Sequence, residues 1–356
     1  MIIQKTQLRG AEVFASQLAN RLEANGHACK VVALFEGHAR LPYQGEVTVL
    51  NGAGERRLID ITGWRKLAAI VRNWKPDVVQ ANAGDTLKYA VFSKKVFGWS
   101  APIVFRNAST VSNYIKSTPA RLFNGFLYRA VAAVASVSEY TRKDLIALFP
   151  VLANKAEVIP VGVDRVSLPA RKIHDGRGPV LLHVGGFTFE KNHAGLIGIF
   201  RRVLEQMPNA QLWLVGDGPL RPDIEAKVVE AGLSSSVRFL GYRTDTLSFL
   251  RDADVLILPS ILEGLPAVIL EAFYCETPVV AYSVGGISEV VRSGETGYLV
   301  AKNDAETFVR AVVSVLRDPA SAAPLVSRGH ELILKHYDNA EIAVRFEDLY
   351  GKLSKH

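Results

Sequence analysis

The stretch Pro259-Ser-Ile-Leu-Glu263-Gly-Leu-Pro266-Ala-Val-Ile-Leu-Glu271 places two carboxylates, a glycine and a proline at a spacing that suits anion and sugar chemistry. An apolar strand is expected to end at Pro259–Ser260, leaving Glu263, Gly264 and Leu265 in a loop. Pro266 fits the first position of a helix, where its missing N–H would have no partner anyway. The free N–H groups of Ala267 and Val268, together with the helix dipole, then make a seat for anionic oxygen. Glu263 can accept sugar hydroxyls or steady a positive charge developing on a sugar ring. Glu271, inside the helix, can take the two hydroxyls of a ribose. Each glutamate also has a plainer reading: Glu263 complements the helix dipole, and Glu271 is a solvated helix residue.

Other patterns carry less. No G-x-G-x-x-G follows the first strand, Gly216-Asp-Gly218 lacks a third glycine, and no Walker sequence occurs, which disfavours a nicotinamide enzyme. His183 and His193 are scattered and match no ligand spacing, so they read as core or surface residues. Cys29 and Cys275 lie far apart and read as small hydrophobes, not as a disulfide or a zinc site.

The elements that must position these residues alternate along the chain. Strands are predicted at Cys29–Phe35, Asp77–Ala81, Pro102–Phe105, Ala133–Val137 and Glu157–Val161, and again at Val180–Val184, Gln211–Val215, Val237–Leu240, Val255–Pro259, Val279–Tyr282 and Tyr298–Val300. They are nearly all apolar, as strands are when helices cover both faces of a parallel sheet. Helical segments lie between them. In Glu12–Asn25, for example, Phe14, Leu18 and Leu22 share one face and Gly26 stops the helix. Two doubly wound α/β units follow, joined near Gly162–Gly178. The predicted domains are residues 1–165 and 166–338, with 339–356 as a helix (about Ala340–Leu353) that crosses back to the first. Ligands of such sheets sit at the carboxyl ends of the strands, which would put the site in the cleft between two facing sheets.

A length of 356 residues suits two domains at about 150 residues each. No apolar run reaches the ~18 residues of a membrane helix, and no signal peptide is visible, so a cytosolic place is expected. Charge is divided unevenly. Residues 1–165 carry 22 Lys/Arg against 12 Asp/Glu (+10), and the rest carries 20 against 23 (−3), which together give the net +7. A basic first half could meet an anionic membrane surface or an acidic acceptor. No nucleic-acid module is present, and no nucleic acid is expected as partner. The segment Lys116–Arg129 reads as a helix from Pro119, with Leu122, Phe123, Phe126 and Leu127 apolar and basic residues elsewhere. That composition suits either a membrane surface or a core-facing helix.

Around the first stretch stand, in order, Val215-Gly-Asp-Gly-Pro219, Phe239-Leu-Gly241, Ala253-Asp254-Val255, Thr277-Pro-Val-Val280, Gly285-Gly286, Glu289 and Gly294-x-x-Gly297-x-Leu-Val300. This ordered set resembles glycosyltransferase family 4, with its E-x(7)-E pattern, over residues 180–300, and weaker similarity covers nearly the whole chain. The resemblance implies a GT-B architecture: two Rossmann-like doubly wound domains facing across a cleft. It also implies a nucleotide diphosphate-sugar donor held by the second domain and retention at the anomeric carbon. Lys191, in Val184-Gly-Gly-Phe-Thr-Phe-Glu-Lys-Asn192, then matches the lysine that neutralises the donor diphosphate and stabilises it as it departs. Glu263 matches the glutamate on the transferred sugar and Glu271 the one on the ribose. Gly185, Gly186, Tyr242, Gly264, Leu265, Pro266, Ala267 and Val268 complete the donor side. Arg9-Gly10-Ala11-Glu12 resembles the loop after the first strand that closes on the diphosphate, where Gly10 permits close approach. Asn107 joins Lys191 and Glu263 as a catalytic candidate, and Asn82, Arg106 and Asn107 are the acceptor-side candidates.

The chain departs from the family in places. The family usually has Arg where this chain has Gly186, so one diphosphate cation is missing or comes from Arg243 or Arg106. Histidine is frequent at the positions of Asn82 and Asn107. Asp252-Ala-Asp254 has the spacing of an acidic metal pair, but Asp254 opens a strand directly before Glu263, and no metal or other cofactor is expected. The expectation is a retaining glycosyltransferase acting on a saccharide, lipid-linked or small-molecule acceptor in surface polysaccharide or glycolipid synthesis, with a peripheral place at the inner face of a membrane. The rival readings are a sugar-nucleotide epimerase on the same fold and a non-catalytic sugar-nucleotide-binding partner.

Overall fold

The computed structural model describes residues 1–52, 59–168, 170–171 and 178–354, so part of the predicted Gly162–Gly178 junction lies outside the described residues. The chain divides into two compact units. One is Met1–Val161 with Asn339–His356, and the other is Gly162–Asp338.

The first unit holds a seven-stranded parallel sheet of β1 (Ile2–Lys5), β2 (Val31–Phe35), β3 (Val47–Val49), β4 (Val79–Ala81), β5 (Ile103–Asn107), β6 (Ala133–Ser136) and β7 (Ala156–Val158), in the order β3-β2-β1-β4-β5-β6-β7. β1 and β3 were not among the predicted strands. β1 is four residues long and half polar, and β3 is three half-buried residues, so neither has the apolar run that marks the others. β7 stops at Val158 and does not run to Val161. Beyond it the carbonyls of Ile159 and Pro160 accept from the Arg106 guanidinium, and Pro160 has no N–H for a ladder.

Helices cover both faces. On one face Phe105, Val134 and Ile103 pack with Leu67, Leu87 and Leu127. On the other, helix Gly10–Ala24 buries Phe14, Leu18 and Leu22 against the C-terminal helix Asn339–Ser354, with the Phe14 and Phe346 rings 5.7 Å apart. Burial of such side chains stabilises by about 1.5–3 kcal/mol each. The C-terminal helix therefore belongs to the first unit through its apolar face.

The second unit is built alike. Its six parallel strands are β8 (Val180–Val184), β9 (Gln211–Val215), β10 (Val237–Gly241), β11 (Val255–Leu258), β12 (Val279–Tyr282) and β13 (Tyr298–Val300), in the order β10-β9-β8-β11-β12-β13. β11 and β12 are wholly buried, and Leu181, Leu212, Leu214 and Ile257 meet Phe200 and Phe308 of the covering helices. In both sheets strand order reverses about a central pair, β1/β4 in the first and β8/β11 in the second. The loops leaving those pairs diverge to opposite faces and open a crevice at the carboxyl edge.

Helix Thr118–Arg129 has a divided character. Leu127 and Tyr128 are buried and Phe123 packs on the core, while Leu122 is 71% exposed and Phe126 39%. Among the described residues, no helix is long and apolar enough to cross a membrane.

Candidate active site

The crevice of the second sheet brings together Lys191 and Glu263, which lie 72 residues apart in the sequence. After β8 the chain passes Gly185 and Gly186, makes a 3-10 turn at Phe189–Lys191, and enters helix His193–Leu204 through Asn192 in the left-handed conformation (φ 56°). Asn192 caps that helix by accepting from the Gly195 N–H at 3.2 Å, and its Nδ2 donates to the Pro259 carbonyl at 3.0 Å. The Ile261 N–H donates to the Glu190 carbonyl at 2.8 Å. These bonds fasten the loop after β8 to the loop after β11 and set Lys191 Nζ 2.6 Å from Glu263 Oε1.

Glycines make room for the pair. A Cβ at Gly185 would meet Lys191 Cδ at 3.1 Å, so the lysine stem lies across the bare backbone there. Gly285 has φ +56°, and a Cβ on it would stand 1.9 Å from the Glu263 carbonyl oxygen. Next to it, the Gly286 N–H donates to the Gly264 carbonyl at 2.6 Å. The turn after β12 thus presses directly on the backbone of Glu263 and fixes its height above the sheet. Lys191 and Glu263 are mostly buried, and each offsets the charge of the other. A diphosphate carries more charge than one carboxylate and can draw Lys191 to itself, freeing Glu263 for a sugar hydroxyl.

Helix Ala267–Tyr274 starts here with Pro266 at its N-cap, one position earlier than expected, and no side chain caps it. Its first N–H groups, on Ala267 and Val268, have no intrahelical partner and are open to an anion. Leu265 and Val268 are buried and wall the seat. Glu271, one turn further in, is half-buried with no compensating partner among the described residues, and burial pushes its carboxyl pKa up to about 7. Tyr242, after β10, is half exposed and donates to the Asp217 carbonyl at 3.3 Å.

The remaining candidates separate from this group. Asp254 lies at the amino end of β11, where it accepts from the Val180 N–H and pairs with Arg171 at 2.8 Å, away from Glu263 at the other end. Arg243 is held by Asp245, at 2.8 Å. Gly186 is unrestricted: a Cβ there would meet only the Asp217 carbonyl oxygen at 3.6 Å and Thr188 Cγ2 at 3.9 Å.

In the first unit, Gly10 begins an uncapped helix and has nothing within 4 Å of its Cβ position, which leaves space beside the end of β1. The three acceptor-side candidates are buried. Asn82 is buried, accepting from Gln80 at 2.9 Å and donating to the Ile2 carbonyl at 3.0 Å. Asn107 is fully buried, with Nδ2 on Ser136 Oγ (3.3 Å) and on the Thr141 carbonyl (3.1 Å). Arg106 is buried with no carboxylate partner among the described residues, stacked 4.2 Å over Phe14 and 5.3 Å over Phe346, and its charge is spent on two backbone carbonyls. Asn82 and Arg106 bond the backbone at strand ends, and Arg106 also packs on the C-terminal helix, while Asn107 Oδ1 is left without a hydrogen-bond partner.

The sequence reading also missed the clamp at Asn192, the wedge at Gly285, and the proximity of the two histidines. Only the Gly285-Gly286 pair, directly after a strand, offered a signal in the sequence.

Comparison with known proteins agrees with this architecture. The family described as Glycosyltransferase Family 4 matches residues 8–166, and glycosyl transferases group 1 matches residues 165–331. The chain is 34% identical over 182 residues to the lipopolysaccharide core biosynthesis glycosyltransferase LpsE of Rhizobium meliloti, covering 51% of each, so it spans about half the length of that relative. It is 25% identical over 349 residues to LpsD of the same organism, covering 96% of this chain and 95% of the relative. Among solved structures, Anabaena Alr3699/HepE in complex with UDP-glucose superposes with a TM-score of 0.83 at 20% identity, covering 100% of this chain and 98% of that one, a likeness of fold. The two family matches join end to end across residues 8–331, and the chain belongs to glycosyltransferase family 4, on the GT-B fold.

Proposed function

We propose that this chain transfers a sugar, with retention at the anomeric carbon, from a nucleoside diphosphate-sugar to a saccharide, lipid-linked or small-molecule acceptor. The observation that carries the reading is the Lys191–Glu263 pair, 2.6 Å apart, at the point where strand order reverses in the second sheet. In this reading the donor diphosphate lies on Lys191 and on the N–H groups of Ala267 and Val268, and Glu271 takes the ribose. As the bond from the anomeric carbon to the diphosphate oxygen breaks, Lys191 stabilises the charge that gathers on the leaving group. The acceptor hydroxyl forms the new bond on the same face, and its proton passes to the departing phosphate oxygen. Lysine and backbone dipoles supply the electrostatics, so the reaction needs no metal. The UDP-glucose bound by the HepE neighbour supports a donor of this class.

An anionic membrane surface as the place where the acceptor is met has its own support. From Thr86 to Ser138 there is no Asp or Glu, while Lys88, Lys94, Lys95, Lys116, Arg121 and Arg129 are joined by the buried Arg106. Exposed Leu122 and Phe126 share one helix face, and Lys95 lies 4.9 Å over the Phe126 ring. Cations beside exposed apolar residues suit binding at a lipid headgroup boundary. Binding to phosphatidylglycerol vesicles that weakens with salt, and with Arg121→Glu and Arg129→Glu, is the expected result. Binding indifferent to both would remove the surface.

The test of the central reading is a thermal-shift screen of nucleoside diphosphates and their sugars, followed by transfer assays and anomer assignment of the product. A ligand at 100 times its Kd adds about 2.7 kcal/mol of stability. Binding without turnover on any acceptor would favour the non-catalytic partner. Epimerised donor would favour the epimerase.

A further inference from the structure

The reversal of strand order in the first sheet carries a second lysine–carboxylate pair, which the donor reading does not use. Ile2 of β1 packs in the apolar core that also holds Leu87 and Ala90 of helix Gly84–Phe97. Gln4, two residues on, lies on the same face of the strand, at the carboxyl edge. Its Nε2 donates to Asp85 Oδ2 at 2.7 Å. Lys88, one turn along the helix, sets Nζ 2.9 Å from Asp85 Oδ1. The β1/β4 pair thus ends on one amide, one carboxylate and one ammonium, as the β8/β11 pair ends on Lys191 and Glu263.

The surroundings leave room for a ligand. Gly10 after β1 and Gly84 after β4 are exposed, and neither has anything within 4 Å of its Cβ position. Each is the first residue of a helix whose N-cap, Arg9 or Ala83, caps it with no side chain. The side chains of Asp85 and Lys88 are 19% and 25% exposed, so the cluster is held by its neighbours and still open to solvent. The chemistry of the three groups selects what binds. Carboxylate and amide oxygens accept from hydroxyls, while ammonium and amide N–H groups donate to them. A sugar hydroxyl does both at once, and two neighbouring hydroxyls on a ring can meet the two oxygens of one carboxylate. Asp85 and Lys88 offset one another in charge, so the cluster favours an uncharged polyol over a phosphate.

We propose that Gln4, Asp85 and Lys88 bind hydroxyls of the acceptor, and that the acceptor presents an uncharged saccharide ring to them. Asp85 is then a specificity-determining residue of the first unit. The proposal rests on the reading of the chain as a sugar transferase, which is what requires a second, hydroxyl-bearing substrate.

The experiment is saturation-transfer NMR of the methyl glycosides of glucose, galactose, mannose and N-acetylglucosamine, with UDP at saturation, on the wild type and Asp85→Asn. At least one glycoside should bind the wild type. Its Kd should rise about tenfold or more in the variant, the loss expected for a hydrogen bond to a charged group. The Kd of UDP, titrated separately, should be the same in both proteins. Equal glycoside affinity in the two overturns the proposal, and a lowered melting temperature beside it would leave the cluster as a brace for the start of the helix. No glycoside binding by the UDP-loaded wild type overturns it as well. Failure of the wild type to bind UDP sinks the donor reading instead, and glycoside binding lost in Asp85→Asn would still support this site. Should Asp85→Asn not fold, Gln4→Met keeps the side-chain length and removes its amide: unchanged glycoside affinity in that variant refutes the cluster.

Discussion

Replacing Glu271 by Gln exposes what the donor site costs the fold. Its carboxyl is half-buried in helix Ala267–Tyr274, without a compensating partner among the described residues, and its pKa rises from 4.5 to about 7. A carboxyl with a raised folded-state pKa binds its proton more tightly when folded. The associated stability is therefore fully present below about pH 4.5 and is lost as pH climbs through 7. A shift of that size, at 1.36 kcal/mol per pKa unit, amounts to at most about 3 kcal/mol. Glu271→Gln keeps the shape and removes the charge, so at pH 8 the variant should be the more stable protein by up to that amount. For a unit of this size the gain is roughly 6–12 °C in Tm. Melting curves at pH 5 and pH 8 read it directly, with the gap between the two proteins widening as pH rises. The same substitution should weaken nucleoside diphosphate binding, because an amide accepts the ribose diol less strongly than a carboxylate does. If the variant is no more stable than the wild type at pH 8, the burial argument for Glu271 is wrong. If it gains stability and binds nucleotide unchanged, Glu271 is not on the ribose.

Two further substitutions test the surroundings. Gly186→Arg should fold normally, because its Cβ meets nothing closer than 3.6 Å, and it should tighten nucleoside diphosphate binding about tenfold through a new charge-assisted bond; an unchanged Kd would place the phosphates elsewhere. Asn107→Ala should cost about 1–3 kcal/mol by stripping two bonds from a buried strand end, while leaving nucleotide affinity and the turnover of folded protein near wild type. A large loss of turnover at unchanged stability would restore Asn107 to the site.

The two sheets were legible because their inner strands are apolar runs bounded by breakers, and this signal reaches eleven of the thirteen strands by position. It fails for β1 and β3, whose pairing comes from their neighbours and not from their own residues. The donor loop was legible because Glu263, Pro266 and Glu271 lie on one continuous stretch. What joins that loop to Lys191, 72 residues away, was not. The Asn192 clamp and the Gly285 wedge act across strands that are neighbours only in the sheet. The burial of Asn82, Arg106 and Asn107 was not legible for a related reason. Polar residues near strand ends look the same in sequence whether they face a ligand or a carbonyl, and only the packing of the C-terminal helix and β7 decides which.

The most direct test of the central claim is the rate of sugar transfer by folded Lys191→Ala and Glu263→Gln, measured beside their melting curves and with the donor that the ligand screen identifies. The geometry predicts that each variant retains its fold while turnover falls roughly 100–1000-fold, the usual loss when one electrostatic stabiliser is removed from a developing charge. Transfer at near wild-type rates by both folded variants would contradict the account.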